Sequence, residues 1–299
     1  MRWFKKKPAE ISLPEGQFYP QDDTLVDFLS KPGQLKAKKK ISKKFSLVIL
    51  NKNAPEFIIP LVEKLLSLPE IKDNEIIIGD TGSRDKETLA FYEKVKEKVV
   101  LVRDLKYHFS TNYNHLIKNY ARGQYLGIMN NDIVLPDGKF LRSAERYLGQ
   151  NPEVGIVGFK LLYPDRKLQH GGVYFFEKGE HAGLPYHRYH GKREKYLKGL
   201  KDHVIPAVTG AFLFCRRTDF LRLGGFDETY AEEAQDIDLC LKFKRVGLKA
   251  YFLPLPDIVH VENGTRTKGS ENLHDRSYFL YKWLSFLQAS VLGSKLNSF

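Results

Sequence analysis

Residues 46–80 read SLVILNKNAPEFIIPLVEKLLSLPEIKDNEIIIGD, and this stretch decides the fold. Two short apolar runs, 46–50 and 75–78, are typical of strands that are buried in a parallel sheet. Between them, apolar residues recur at helical spacing over 56–68. The order of strand, helix and strand predicts the first unit of a doubly wound α/β sheet.

The same alternation continues beyond this unit to residue 148, and then it changes. Further helices are predicted over 85–98, 112–121 and 137–148, and further strands over 99–102 and 124–129. From residue 153 onward, loops and short helices separate the predicted strands 153–158, 172–176, 208–215 and 249–253, and an aromatic helix is predicted over 278–287. We therefore expect a doubly wound first half and an α+β second half.

Polar side chains stand at the ends of three predicted strands. Asn51, Asp80 and Asp132 each follow one of them. The carboxyl ends of parallel strands share one edge of a sheet, and ligands bind in the crevice outside that edge. The triplet Asn130-Asn131-Asp132 suits a divalent cation that bridges two phosphates, because its carboxylate is flanked by amides. Taken alone, such a triplet is more often a turn, since Asn and Asp both favour turns.

A second group of acids lies over 227–238. Asp236 is predicted to open a helix that ends before Gly247. The helix dipole favours an acid in the first turn, but it does not account for so many acids in a chain of net charge +12. His260 follows a further predicted strand, 257–259, where a lone histidine is more often structural than a ligand.

Length and composition bound the class of protein. The 299 residues, 42% hydrophobic and 28% charged, are typical of a globular chain with a large core. The two cysteines, Cys215 and Cys240, imply no disulfide framework and favour a reducing compartment. No signal-peptide core and no apolar run of about 20 residues occur, so we expect a cytoplasmic location. Lysines concentrate over 5–7 and 36–44, which favours peripheral contact with an anionic surface such as the inner membrane.

Several common chemistries are disfavoured by missing motifs. Neither a G-x-G-x-x-G motif nor a Walker A motif occurs, which argues against dinucleotide and P-loop chemistry. The serines lack the context of a nucleophile elbow. The histidines between residues 181 and 203 lack cysteine partners and regular ligand spacing, so a solvated loop is favoured over a zinc site.

From about residue 45 to residue 283 the chain resembles the inverting family 2 glycosyltransferases of the GT-A fold, and within them the rhamnosyltransferase-like and O-antigen branch. The resemblance depends on motifs in the same order, namely SLVILN at 46–51, IGDTGS at 78–83, ARGQYL at 121–126, NND at 130–132, KLLYPD at 160–165, QHGGV at 169–173, VTGAF at 208–212, GGFDE at 224–228, DIDLCL at 236–241 and DRSYFLYKW at 275–283. Two positions depart from the family pattern. Asn130 stands where many relatives have Asp, and Gln235 stands where Glu is commoner.

The resemblance implies a division of the chain. A basic leader, 1–44, would precede a Rossmann-like nucleotide-sugar-binding half, 45–155. An acceptor and catalytic-base half, 156–265, and a C-terminal aromatic helical segment, 266–299, would follow. The aromatic helix is interpreted either as packing against the domain or as lying at a membrane interface.

The resemblance also implies an inverting, metal-dependent transfer of a sugar from a nucleotide-diphosphate donor to a hydroxyl of a cell-surface polysaccharide or lipid-linked glycan. Asp236 would be the general base, and Asp132, with His260 as a second ligand, would hold Mg²⁺ or Mn²⁺. The residues implied to bind the donor are Asn51, Asn53, Asp80, Ser83, Asn114, Asn130 and Asn131. The residues implied to shape the acceptor and sugar pocket are Gln169, His170, Gly210 and Asp238.

Two other functions are weighed against this one. A nucleotidyltransferase that makes nucleotide sugars also uses metal-bound acids, but it usually has a glycine-rich phosphate loop near its start, and residues 50–55 contain no glycine. A nucleic-acid-binding protein would need a basic stripe with exposed aromatic residues. Here the lysines concentrate in the leader and the acids at strand ends, so no nucleic-acid partner is expected.

Overall fold

The computed structural model describes residues 34–193, 200–255, 257–262 and 272–289. Residues 1–33 of the predicted leader therefore lie outside the described part of the chain, as does much of the segment 266–299. All of the predicted site residues fall inside it.

Fourteen strands are found among the described residues. In chain order they are β1 (Lys43–Asn51), β2 (Glu75–Asp80), β3 (Val100–Val102), β4 (Gly123–Asn130), β5 (Ile133–Val134), β6 (Val154–Phe159), β7 (Leu161–Leu162), β8 (Leu168–His170), β9 (Val173–Phe175), β10 (Pro185–His187), β11 (His203–Ile205), β12 (Phe212–Arg216), β13 (Lys249–Leu253) and β14 (Val259–His260). Eight of them form a central sheet of order β11-β13-β6-β12-β4-β1-β2-β3. Within it, β1 to β4 pair in parallel, and β12 runs antiparallel between β4 and β6.

Two smaller sheets lie beside the central one. The strands β5, β14, β7 and β8 form the first, in that order, and β9 pairs with β10 in the second. Each of these strands is only two or three residues long. Such strands carry no readable period, which is why β5, β7, β8 and β10 were not predicted from the sequence.

Within the described ranges, seven α-helices connect and flank the strands. They are α1 (Pro55–Ser67), α2 (Lys86–Val95), α3 (Phe109–Asn119), α4 (Lys139–Gln150), α5 (Arg217–Arg222), α6 (Gln235–Arg245) and α7 (Leu273–Leu287), with a short 3₁₀ helix at Pro69–Asp73. In the part of the chain that the structure describes, none of the helices combines the length and the apolar character that crossing a membrane requires.

Local sequence signals account for several helix ends. Asp85 caps α2, because its carboxylate accepts a hydrogen bond from the Thr88 amide at 2.8 Å. Gly247 follows α6 with a left-handed φ of 81°, so the predicted glycine stop is confirmed. The helices predicted in the first half are found within a few residues of their expected bounds.

The central sheet is buried on both faces. Val48 of β1 packs in one hydrophobic cluster, whereas Leu47 and Ile49 pack in the other. Because alternate residues of a strand point to opposite faces, a strand between two packed layers must be apolar throughout. This explains the continuous apolar run at the start of the 46–80 stretch.

Candidate active site

The central sheet brings polar residues to one edge, the edge formed by the carboxyl ends of its parallel strands. The register pairs Asn51 with Asp80 across β1 and β2, and Leu50 with Asn130 across β1 and β4. Because β12 runs antiparallel to β4, it begins at this edge, and the Asn130 amide donates to the Ala211 carbonyl at 2.9 Å. The edge predicted from the sequence therefore also carries the residues that precede β12.

Asp236 is held at this edge through Gly210. It is the second residue of α6, and its Oδ2 accepts a hydrogen bond from the Gly210 amide at 2.5 Å. Its Oδ1 accepts from the Ile237 amide at 2.9 Å, and the residue is half-buried. Gly210 directly precedes the residue whose carbonyl bonds Asn130. The carboxylate of Asp236 is thus brought to the edge that carries the Asn-Asn-Asp triplet.

Asp132 and His260 form a buried pair. Asp132 Oδ1 lies 3.1 Å from Nε2 of His260, and the two residues are only 6% and 8% exposed. His260 lies on β14. This strand pairs with β5, which directly follows Asp132. The side-chain nitrogen of Asn130 lies 3.2 Å from the same Nε2. The two residues expected to bind a metal are therefore assembled from separate parts of the chain.

This pair has the spacing of two ligands of one ion. Carboxylate and imidazole ligands lie about 2.1 Å from a small divalent cation, so two ligands at right angles are about 3.0 Å apart. Within the described residues, no group of three or more His, Cys, Asp or Glu side chains could hold a metal. Ions such as Mg²⁺ often take only one or two protein carboxylates and complete their shell with substrate phosphates and water. The pair therefore fits an ion that binds together with a diphosphate.

Asn51 connects the ends of three neighbouring elements. Its side-chain nitrogen donates to the Tyr92 hydroxyl and to the Asn53 carbonyl, both at 2.8 Å, and its Oδ1 accepts from the Asn131 side chain at 2.7 Å. Tyr92, in turn, donates to Asp80 Oδ1 at 3.1 Å. Burial, with the charge of Asp80, raises the pKa of Tyr92. Sequence reasoning missed this tyrosine, because one hydroxyl on the apolar face of a helix looks like core.

Hydrogen bonds join the loops that follow β1 and β2 at this edge. Asp80 has no exposed surface, and it accepts hydrogen bonds from the amides of Gly82 and Ser83 and from the Ser83 hydroxyl. The Ser83 hydroxyl also accepts from the Asn53 amide at 2.6 Å, and Asn53 Oδ1 accepts from the Arg84 amide at 2.8 Å. In this arrangement Asp80 shapes the loop that forms the edge.

Comparison with known proteins decides the family. A model described as "Glycosyl transferase family 2" matches residues 46–224, more than half of the chain. The chain belongs to glycosyl transferase family 2. The family resemblance that the motifs indicated is thereby confirmed.

Two bacterial proteins are similar to most of this family 2 chain. The O-antigen biosynthesis protein RfbC of Myxococcus xanthus is 30% identical over 247 residues, which are 81% of this chain and 19% of RfbC. The protein y4gI of Sinorhizobium fredii (strain NBRC 101917 / NGR234) is 31% identical over 228 residues, 74% of this chain and 25% of y4gI. The chain therefore spans a quarter or less of the length of these relatives.

The fold is shared with solved glycosyltransferases. The crystal structure of GalNAc-T7 with UDP, GalNAc and Mn²⁺ aligns with this chain with a TM-score of 0.63. The aligned part covers 81% of this chain and 48% of the GalNAc-T7 chain. Sequence identity between the two is 17%, so the likeness concerns the fold alone. The predicted GT-A fold is confirmed.

The Asn114 side chain of this family 2 chain forms hydrogen bonds with other residues of the fold. Its side-chain nitrogen donates to the Phe226 carbonyl at 2.8 Å, and its Oδ1 accepts from the Phe226 amide at 2.9 Å. The same nitrogen donates to Glu228 Oε1 at 2.9 Å, and Thr111 donates to the other oxygen of that carboxylate. Through these bonds Asn114 fixes the 224–228 turn to α3. Its contact with the donor stays a prediction.

Asp238 is enclosed in the core rather than placed in an acceptor pocket. It has no exposed surface, its Oδ1 accepts from Trp283 Nε1 at 2.7 Å, and the same oxygen lies 2.6 Å from Lys282 Nζ. Lys282 also pairs with Asp227 at 2.6 Å. Residues two apart on a helix point about 200° apart, so Asp238 faces away from the edge that Asp236 reaches. The structure therefore gives Asp238 contacts within the fold, and its place in an acceptor pocket stays a prediction.

The aromatic helix α7 packs against the domain. Phe279 and Trp283 are buried, which favours the packing interpretation made from the sequence. At its start, Asp275 accepts hydrogen bonds from three successive amides, Ala231 at 3.0 Å, Glu232 at 2.7 Å and Glu233 at 2.8 Å. These amides outweigh the effect of burial and lower the pKa of Asp275. The helix therefore holds the loop that leads into Asp236.

Gln169 and His170 follow one another in β8, so their side chains point to opposite sides. Gln169 Oε1 lies 2.6 Å from Nδ1 of His260, on the far side of that imidazole from Asp132. His170 has no exposed surface, and its Nδ1 lies 3.0 Å from Nδ1 of His187. His170 is thus used within the fold, its place in an acceptor pocket stays a prediction, and Gln169 contacts the Asp132–His260 pair.

The buried histidines predict a loss of stability in mild acid. Burial lowers the pKa of His170 well below its usual value, and burial together with His190 lowers the pKa of His187 to about 4. Below about pH 6.5 the unfolded chain therefore binds more protons than the folded one, and stability rises with pH between about 4 and 6.5. We expect His187 alone to lower the free energy of unfolding by about 2 kcal/mol between pH 7.5 and pH 5.

Urea denaturation at the two pH values measures this change. The His187→Gln variant should show a clearly smaller pH dependence than the wild-type chain. An unchanged dependence in the variant would show that His187 does not titrate in this way.

Proposed function

We propose that this edge transfers a sugar from a nucleotide-diphosphate donor to a hydroxyl group of a surface polysaccharide, with inversion at the anomeric carbon. One observation carries the proposal. The Asp132–His260 pair and the Asp236 carboxylate reach a single sheet edge from distant parts of the chain. Family membership favours this function over nucleotidyl transfer and nucleic-acid binding.

The donor half of the site would be formed by the locked loops after β1 and β2. Asn51, Asn53 and Ser83 present polar groups there, and Asp80 fixes the conformation of the loop. Asp132 and His260 would hold Mg²⁺ or Mn²⁺, in line with the Mn²⁺ found with GalNAc-T7. A bound divalent ion supplies Lewis-acid stabilisation of the charge that develops on the departing diphosphate.

Asp236 would act as the general base of the transfer. As the acceptor oxygen attacks the anomeric carbon, its proton passes to the Asp236 carboxylate and the bond to the diphosphate breaks on the opposite face. The Gly210 amide orients the carboxylate through its hydrogen bond to Oδ2. Gly210 would therefore contribute to the acceptor side of the site by holding the base.

The acceptor and the location of the protein are inferred from two further features. RfbC is named for O-antigen biosynthesis, which supports a surface glycan as the acceptor. The basic residues that precede β1 lie at the opposite edge of the sheet, about 26 Å away along the strand from Lys43 to Asn51. If that segment contacts the inner membrane peripherally, the site faces away from the bilayer, which suits a long glycan.

Asp132→Ala tests the metal part of the proposal. Removing a residue that hydrogen-bonds to a metal ligand typically lowers metal affinity by about 10- to 100-fold. Removing the ligand itself should therefore weaken metal-dependent donor binding by at least about 100-fold. Isothermal titration with UDP, GDP and dTDP, with and without Mn²⁺, measures the effect. Asp165→Ala, which removes an exposed acid outside the site, is the matched control and should bind like wild type. Equal affinity of the wild-type chain with and without Mn²⁺ would contradict a metal-bound diphosphate.

A further inference from the structure

The contact between Gln169 and His260 has a consequence for the metal pair. Gln169 is 7% exposed, and its Oε1 lies 2.6 Å from His260 Nδ1. The oxygen of an amide can only accept, so with the Gln169 amide in this orientation Nδ1 carries the proton of this hydrogen bond. In neutral imidazole the other nitrogen, Nε2, then carries a lone pair.

That lone pair faces Asp132. Nε2 lies 3.1 Å from Oδ1 of Asp132 and 3.2 Å from the side-chain nitrogen of Asn130. With the ring proton on Nδ1, Nε2 can accept from the Asn130 amide, but it meets the Asp132 carboxylate as one acceptor facing another. A cation that both atoms can bind removes this conflict, and the spacing suits such an ion. If the proton were on Nε2 instead, His260 would donate to Asp132 and the two would be occupied with each other. The state of the ring therefore decides whether the pair is ready to bind a metal.

We propose that Gln169 is a positioning residue that holds the His260 proton on Nδ1 and so directs Nε2 to the metal. This inference rests on the proposed metal-dependent function. It gives a role to the first residue of the QHGGV motif that differs from the acceptor contact expected from the sequence. Metal-binding histidines in general depend on such a partner at their second ring nitrogen.

The rest of the environment of Gln169 supplies a matched control. Tyr163 lies near Gln169, and its hydroxyl lies 3.0 Å from Nε2 of His190. Tyr163 is thus in the same polar network, yet its hydroxyl does not form the hydrogen bond to His260 Nδ1. Removing the Tyr163 hydroxyl disturbs the network without removing the acceptor that His260 requires.

The test measures Mn²⁺ binding by the loss of the free-ion EPR signal, with Mn²⁺ alone and with Mn²⁺ plus UDP. Gln169→Met keeps the size of the side chain but removes the acceptor, and it should weaken Mn²⁺ binding about 10- to 100-fold. Gln169→Glu keeps an acceptor at Nδ1, and Tyr163→Phe leaves Gln169 in place. Both of these variants should bind Mn²⁺ within about threefold of wild type.

A second measurement separates a positioning role from a merely structural one. In protein labelled with ¹⁵N-histidine, the His260 ring, assigned with a His260→Asn variant, should show the Nδ1–H form in the wild-type chain. The Gln169→Met variant should lose that preference while its thermal unfolding stays cooperative. If Gln169→Met binds Mn²⁺ as tightly as wild type, or retains the Nδ1–H form, the role given to Gln169 is overturned. If the wild-type chain itself does not bind Mn²⁺ through Asp132, the proposed function fails and this inference fails with it.

Discussion

Asp236→Asn is expected to lower the rate of sugar transfer by about 10²- to 10⁴-fold, the usual contribution of a general base. The amide cannot take the proton of the acceptor hydroxyl, although it has nearly the shape of the carboxylate. One of the hydrogen bonds to Gly210 and Ile237 is lost, because each needs an acceptor and the amide has only one oxygen. That loss costs about 1 kcal/mol of stability, which the fold should tolerate.

Single-turnover kinetics and donor titration together distinguish a lost base from a lost fold. Donor affinity in the presence of Mn²⁺ should stay within about threefold of wild type, because Asp236 does not contact the metal pair in this account. Glu232→Gln, which neutralises an exposed acid of the same loop, is the matched control and should transfer normally. Near wild-type transfer by Asp236→Asn would remove Asp236 from the role of base.

Lys282→Met is expected to destabilise the protein by about 3–5 kcal/mol, the cost of leaving buried charge unpaired. Lys282 Nζ lies 2.6 Å from an oxygen of Asp227 and 2.6 Å from an oxygen of Asp238. The lysine side chain is only 7% exposed, and that of Asp238 is not exposed at all. Burial alone would lower the pKa of Lys282, but the two carboxylates raise it, which shows how strongly they hold the charge. Without the positive charge of Lys282, the carboxylates of Asp227 and Asp238 repel each other.

Urea unfolding of Lys282→Met measures this cost. Adding Asp238→Asn to the variant should recover part of the lost stability, because one uncompensated charge is removed. Lys242→Met is not a suitable control, since Lys242 also approaches Asp238. Arg245→Met, a change at an exposed position in the last turn of α6, should alter stability by less than about 0.5 kcal/mol. A similarly small effect of Lys282→Met would contradict the buried network.

The sequence predicted the site best where strand geometry alone decides the arrangement. Asn51, Asp80 and Asp132 were expected to share an edge because parallel strands end on the same side. The register places Asn51, Asp80 and Asn130 there, and Asp132 follows Asn130 by two residues. The approach of Asp236 could not be read from period or spacing. It depends on the antiparallel strand β12, whose start rather than its end lies at this edge.

Neighbouring residues of a motif have different surroundings in the fold. Asp236 and Asp238 are two positions apart on a helix and face different directions. Gln169 and His170 are adjacent in a strand, so one meets His260 and the other meets His187. A motif shows which residues matter together, but the local period of the backbone decides which of them reach the same pocket.

The contacts of Tyr92 and Asp275 could not be predicted from the sequence. Each makes its key contacts with residues far away in the chain, at Asn51 and at the amides that begin with Ala231. Neither the type of residue nor its spacing indicates these partners, because they are set by tertiary packing. The two-residue strand β5, which follows Asp132 and pairs with the strand that carries His260, was also too brief to carry a pattern.

An anomalous-scattering map at the manganese absorption edge, from crystals grown with Mn²⁺ and UDP, shows directly whether Asp132, His260 and Asp236 serve one site. We expect one manganese peak about 2.1 Å from both Asp132 Oδ1 and His260 Nε2, with the diphosphate bound to the ion and the Asp236 carboxylate facing the same cavity. A manganese peak bound elsewhere, or a nucleotide seated away from the edge formed by β1, β2 and β4, would contradict it.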